Sequence, residues 1–255
     1  MIVVDFQDHF VLIQQHDHAQ LSGDIATNWN PRHFYGSPKR QDVLYAIYEH
    51  DRGWIDLDHT PFWNDAENAP YSFMEFPLRP KLTFYRKGVD EVQRYSPYAA
   101  LLCSMHYCSF FASTSEPAAE QYMQEEKERQ RLIREDLHLS TPQEDADLKF
   151  HFDLLQFCDN LSLYVCLNRP GVSKEEEISW YRQGFPQRFS HLDHQTIMAR
   201  WLDTETIQLN PFPLQEGCTY GVKLKKVPKQ AIKEKGLAEA YRQAGWELRH
   251  VRFTL

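Results

Sequence analysis

The residues best suited to chemistry are His50 and Asp51, adjacent in the segment Val43-Leu-Tyr-Ala-Ile-Tyr-Glu-His-Asp-Arg-Gly-Trp54. An imidazole and a carboxylate can both ligate a divalent metal, and the pattern around them turns both inward. Val43, Ile47 and His50 recur at helical spacing and Leu44, Tyr48 and Asp51 form the neighbouring row, so the pair points where the apolar side chains point. Such a pair in an apolar interior is costly unless it is ion-paired, hydrogen-bonded or bound to a cation. Its partners must come from elsewhere in the chain.

Three further segments offer them. Residues 15–29 read as a helix ended by Asn30-Pro31, with a core row of His18, Leu21, Ile25 and Trp29 that turns His18 inward and His16 outward. Ser96-Pro97 starts a helix over 98–111, where Tyr98, Leu102 and His106 share a row. Thr141-Pro-Gln-Glu144 is a capping box with proline at the first helical position, and it launches the longest helix, through about residue 167. The inward row of that helix is Phe152, Leu155, Asp159, Ser162, Leu163 and Cys166. Collected, His18, His50, Asp51 and Asp159, with His106 as a further candidate, make a nitrogen and oxygen shell. Such a shell suits Mn, Fe, Zn, Co or Ni rather than a structural zinc.

The elements that position these residues follow from punctuation and periodicity. Ser37-Pro38 reads as the start of the His50-Asp51 helix and Gly53 as its stop. Residues 2–6 and 10–13 read as a hairpin, and 196–203, 206–209, 220–227 and 246–253 as strands, with one helix over 230–244. The mixed charges of 117–138 mark a solvated helix face. Residues 54–95, rich in proline and aromatics, read as a packed lid or pocket wall. They carry Arg79 and Lys81, which can grip an anionic substrate, and Asp56 and Asp58, which can act as general acid or base. The expected fold class is mainly α, in a single domain of residues 1–255. A helical core at 15–185 would carry a small mixed α/β element built from the hairpin at 1–14 and the strands of 196–255.

Composition narrows the partners. The 255 residues are 42% hydrophobic, enough for a sizeable core, and the formal charge of -8 gives no overall basic surface for a nucleic-acid polymer or anionic lipid. The cysteines form no Cys-x-x-Cys pattern and read as reduced core thiols. The N-terminal stretch lacks the basic and apolar regions of a signal peptide and no run approaches a membrane span, so a soluble cytoplasmic protein is expected.

The order of these residues resembles the HD-domain superfamily of metal-dependent phosphohydrolases. The matching pieces are Asp17-His-Ala-Gln-Leu-Ser-Gly-Asp-Ile-Ala26, Ala46-Ile-Tyr-Glu-His-Asp-Arg-Gly53 and Leu154-Leu-Gln-Phe-Cys-Asp-Asn-Leu-Ser-Leu163. More narrowly, over most of its length, the chain resembles DUF3891, a bacterial family of unknown function. The superfamily resemblance implies an HD-like helical core, with His18, His50, Asp51 and Asp159 holding one metal and a histidine such as His106 allowing a second. Arg52 stands where the superfamily has a small or aliphatic residue. The implied activity is hydrolysis of a phosphate ester or nucleotide, with Arg52 beside the ligands to stabilise charge. Two other classes fit the same residues: a di-iron oxygenase of HD-like type, and a non-catalytic regulatory module that binds a nucleotide or metal.

Overall fold

The structure is a computed structural model that describes residues 1–255. In chain order, the hairpin β1 (Ile2–Asp5) and β2 (His9–Ile13) leads into α1 (Gln15–Thr27), α2 (Arg40–Glu49) and the short α3 (Ile55–Asp58). A two-stranded ribbon, β3 (Trp63–Asn64) and β4 (Ala69–Pro70), precedes α4 (Leu78–Gln93), α5 (Pro97–Ser109), α6 (Pro117–Asp136) and α7 (Pro142–Leu167). The chain closes with β5 (Met198–Trp201), β6 (Thr206–Asn210), β7 (Thr219–Pro228), α8 (Lys229–Lys235), α9 (Leu237–Gln243) and β8 (Trp246–Thr254).

Both ends of the chain meet in one sheet of six strands, ordered β1-β2-β7-β8-β6-β5. All its pairings are antiparallel except β6 with β8. Successive strand side chains face opposite ways, and the sheet uses both faces. Val11, Ile13, Val222, Leu224, Val251 and Phe253 point into the core shared with α1, α2, α4, α5, α6 and α7. Phe10, Leu12 and Val227 point the other way, under Leu237, Ala240 and Tyr241 of α9.

This overturns the mainly-α, HD-like expectation. The chain is 51% helical and 17% strand around a six-strand mixed sheet, which makes the fold α/β. The sheet is no appendage, because its inner face belongs to the same 53-residue core cluster as the helices. Pairing between β2 and β7, remote in sequence, is what joins the strands into a layer.

Two local expectations also change. Residues 54–77 contain α3, the ribbon and loops, but Leu78–Gln93 form the full helix α4. Pro80 falls in its first turn, where a missing N–H costs nothing, and Leu82, Tyr85, Val89 and Val92 supply its buried stripe. Ser37-Pro38 lies in a 3-10 turn ahead of α2, and α2 ends at Glu49, before His50. Gly53 is therefore not its stop. It lies where the chain crosses α4: a Cβ there would stand 2.5 Å from the Phe84 carbonyl oxygen, and one on Gly88 would stand 2.6 Å from the Gly53 nitrogen.

That backbone-on-backbone contact fixes the turn carrying His50 and Asp51. No helix is long and apolar enough to cross a membrane. Gly88→Ala should destabilise the protein by about 1–3 kcal/mol, the usual cost of overpacking. Urea unfolding checks this, and a midpoint equal to wild type would contradict the crossing as a constraint.

Candidate metal centre

Four helical segments aim polar side chains at one point. His18 comes from α1, His50 and Asp51 from the turn after α2, His106 from α5 and Asp159 from α7, and all five are buried. His18 Nε2 lies 2.8 Å from Asp51 Oδ2 and 3.7 Å from Asp159 Oδ1. His50 Nε2 lies 3.3 Å from Asp159 Oδ1 and 3.9 Å from Asp51 Oδ2, and His106 Nε2 is 3.7 Å from Asp159 Oδ2. Two overlapping groups, His18-His50-Asp51 and His50-His106-Asp159, each bring their ligand atoms within 4.8 Å of one another and can hold a metal ion.

The surroundings fit a cation rather than a self-satisfied polar core. His50 donates Nδ1–H to the Ile47 carbonyl at 2.7 Å, which directs its other ring nitrogen, with its lone pair, at the cluster. That Nε2 is buried and has no hydrogen-bond partner. His18 Nδ1 rests 2.6 Å from Ser162 Oγ, whose hydroxyl donates to the Asp159 carbonyl at 2.9 Å, so Ser162 can accept the His18 Nδ1–H and leave Nε2 as the ligand atom. His106 Nδ1 has no partner.

With protons as the only cations, the cluster holds its charge unevenly. Burial works against a charged His50, but the carboxylates of Asp51 and Asp159 outweigh it and push it up to about 9. Burial would raise Asp159, yet His50, His106 and His18 bring it down to about 2. Asp51 is also lowered, against its burial, by His50 and His18. His106 goes the other way, down to about 4, because desolvation outweighs the Asp159 charge.

His18, Asp51, His106 and Asp159 of the cluster, together with Gln15, line a cavity of about 300 Å³. Tyr85, Phe110, Phe111, Trp180 and Tyr181 wall it. Lys81 also lines it, with Nζ donating to the Phe73 carbonyl at 2.7 Å.

The other sequence candidates lie elsewhere. Arg52 is paired with Glu49 at 2.8 Å and Glu91 at 2.7 Å. Asp56 is exposed and pairs with Lys87, and Arg79 is exposed. Asp58 is buried, but its carboxylate accepts from the Met1 amino group and the Gln15 backbone N–H, each at 2.6 Å. Gln15 and Tyr85 line the cavity although sequence periodicity assigns them no role. Gln15 sits at the start of α1, one turn before His18, and that phase was the one available signal; Tyr85 was hidden with the rest of α4.

Residues 1–229, a span that includes all five ligand candidates, match the family described as Protein of unknown function (DUF3891). The chain belongs to the DUF3891 family. No curated protein and no solved structure matches it.

Metal must displace the proton on His50. The His50 value lies above the ordinary 6.5, so its ion pairs stabilise the metal-free protein fully below about pH 6.5, and that contribution is lost as pH rises through about 9. The depressed Asp159 contributes above its ordinary 3.8, and loses that contribution as pH falls through about 2. Titrating metal into the metal-free protein at pH 7.5, in buffers of different ionisation enthalpy, should therefore report release of about one proton per ion. No buffer dependence would contradict the charged His50.

Proposed function

We propose that this DUF3891 protein is a metal-dependent phosphohydrolase acting on a small phosphate ester or nucleotide, with a divalent ion of Mn, Fe, Zn, Co or Ni at the cluster. The observation that carries the reading is the convergence of buried imidazole and carboxylate donors beside a cavity that a lysine also lines. The order His18, His50-Asp51, Asp159 resembles the ligand order of HD phosphohydrolases.

One ion is favoured over two. The two ligand groups share His50, whose Nδ1–H is committed to Ile47, so its single remaining lone pair serves one metal. This also weighs against the di-iron oxygenase reading. A bound divalent ion would supply a water of lowered pKa and polarise a phosphoryl oxygen. His18, His50, Asp51, His106 and Asp159 would supply its ligands, and the aromatic walls would exclude bulk water.

Lys81 is the cation placed to pair with a phosphate oxygen. One of its N–H groups is held by Phe73, which fixes the ammonium, and partial burial lowers its pKa, so an incoming anion would restore the charge balance. Arg52, Asp56, Asp58 and Arg79 take no part in this reading. A cavity of about 300 Å³ at the foot of aromatic walls suits a small molecule, not a polymer.

The test is a panel of phosphomonoesters, cyclic nucleotides and nucleoside polyphosphates with Mn, Co, Ni and Mg, run alongside metal analysis. Asp51→Asn should stay folded by circular dichroism but lose its metal and all hydrolysis, because the amide keeps the volume and removes the charge. Lys81→Met should keep the metal and raise KM about tenfold, the scale of one charge-assisted hydrogen bond. An Asp51→Asn protein that retained both metal and activity would overturn the proposal.

A further inference from the structure

Besides His50 Nε2 and His106 Nδ1, a further buried polar atom at the cluster is without a partner. Gln15 is 3% exposed and lines the cavity, and its side-chain Oε1 accepts no hydrogen bond. Its orientation is determined by what surrounds it. The Gln15 backbone N–H donates to Asp58 Oδ2 at 2.6 Å, fixing the first residue of α1, and Nε2 donates to Asp51 Oδ2 at 3.1 Å. Flipping the amide would set Oε1 against the Asp51 carboxylate, oxygen against oxygen, so the nitrogen belongs there. Oε1 is bonded to the same carbon as Nε2 and therefore lies beside the ligands, buried, as an acceptor lacking a donor. Leaving such an acceptor unpaired is costly.

We propose that Gln15 is the positioning residue for the water at the metal: its Oε1 accepts one O–H of that water while its Nε2 holds Asp51. This rests on the metal-centred reading above. The division of labour follows from the two ends of one amide, because a donor is needed toward the carboxylate and an acceptor toward the water. With one O–H engaged, the orientation of the water and of the lone pair it presents to the cavity is set. A ligand with no proton to donate, such as azide, cannot satisfy Oε1 and is disfavoured at this position.

The experiment replaces the bound metal with Co(II) and follows its visible spectrum during azide titration, which needs no substrate or turnover. Gln15→Met, close in shape but unable to accept an N–H or O–H bond of ordinary strength, should still bind one Co(II) and bind azide about tenfold more tightly than wild type. Gln15→Glu retains an oxygen toward the water and adds repulsion, so its azide affinity should not exceed that of wild type. In hydrolysis, Gln15→Met should lower kcat at least tenfold with KM changed less than threefold. Loss of Co(II) from a folded Gln15→Met protein would make Gln15 only a prop for Asp51, and unchanged azide affinity would remove its contact with the water; either result overturns the proposal. If wild type shows the azide difference but hydrolyses nothing, the phosphohydrolase reading falls while the role of Gln15 stands. Failure of wild type to bind Co(II) overturns both.

Discussion

Two carboxylates, Asp51 and Asp159, share one buried space with three imidazoles, and the surrounding structure is arranged so that this is tolerable. A buried carboxylate without a cation faces several kcal/mol of desolvation cost, and here two such groups lie against the same histidines. A proton on His50 offsets that in the metal-free state. A divalent ion would do so more completely, since it offers two charges to two carboxylates. Packing of α1, α2, α5 and α7 delivers these groups to one place, and the Gly53–Gly88 crossing holds the turn that carries two of them.

The three histidines are not equivalent. His50 is aimed by a backbone carbonyl, which has no freedom to change role, so its ligand nitrogen is committed. His18 is backed by Ser162, whose hydroxyl can donate or accept and can therefore follow a change of tautomer. His106 has no partner behind it and is edge-on to His50, at 5.1 Å between ring centroids. It is thus the least restrained of the three. His18 and His106 line the cavity, whereas His50 does not and is fully buried.

Much of the site was legible because helical phase carries direction. His18 rather than His16 faces inward, and Asp159 lies in a buried stripe, both because residues three and four apart share a face. The capping box at Thr141 formed as written, with Thr141 and Glu144 satisfying each other's backbone groups. The strand segments were recognisable, and so was the joining of the N-terminal hairpin to the C-terminal strands, which β2 and β7 carry out. That the six-strand sheet would share one core with the helices is a tertiary outcome that local pattern does not encode, and it made the mainly-α expectation fail. Proline and glycine hid α4, because Pro80 falls in the tolerated first turn and Gly88 serves a close backbone approach rather than a break. Asp58 looked like a free acid just past the metal pair, but its partner, the Met1 amino group, is remote in sequence and could not be read from spacing.

X-ray absorption at the metal edge of the loaded protein tests the central claim most directly, because it reads ligand type and ion count without assuming an activity. The account predicts a shell of nitrogen and oxygen donors at roughly 2.0–2.2 Å, imidazole scattering beyond it, and no metal–metal vector. A sulfur shell would place the ion on cysteines instead, and a metal–metal vector near roughly 3.5–4 Å would show two ions where one is proposed; either would contradict the account.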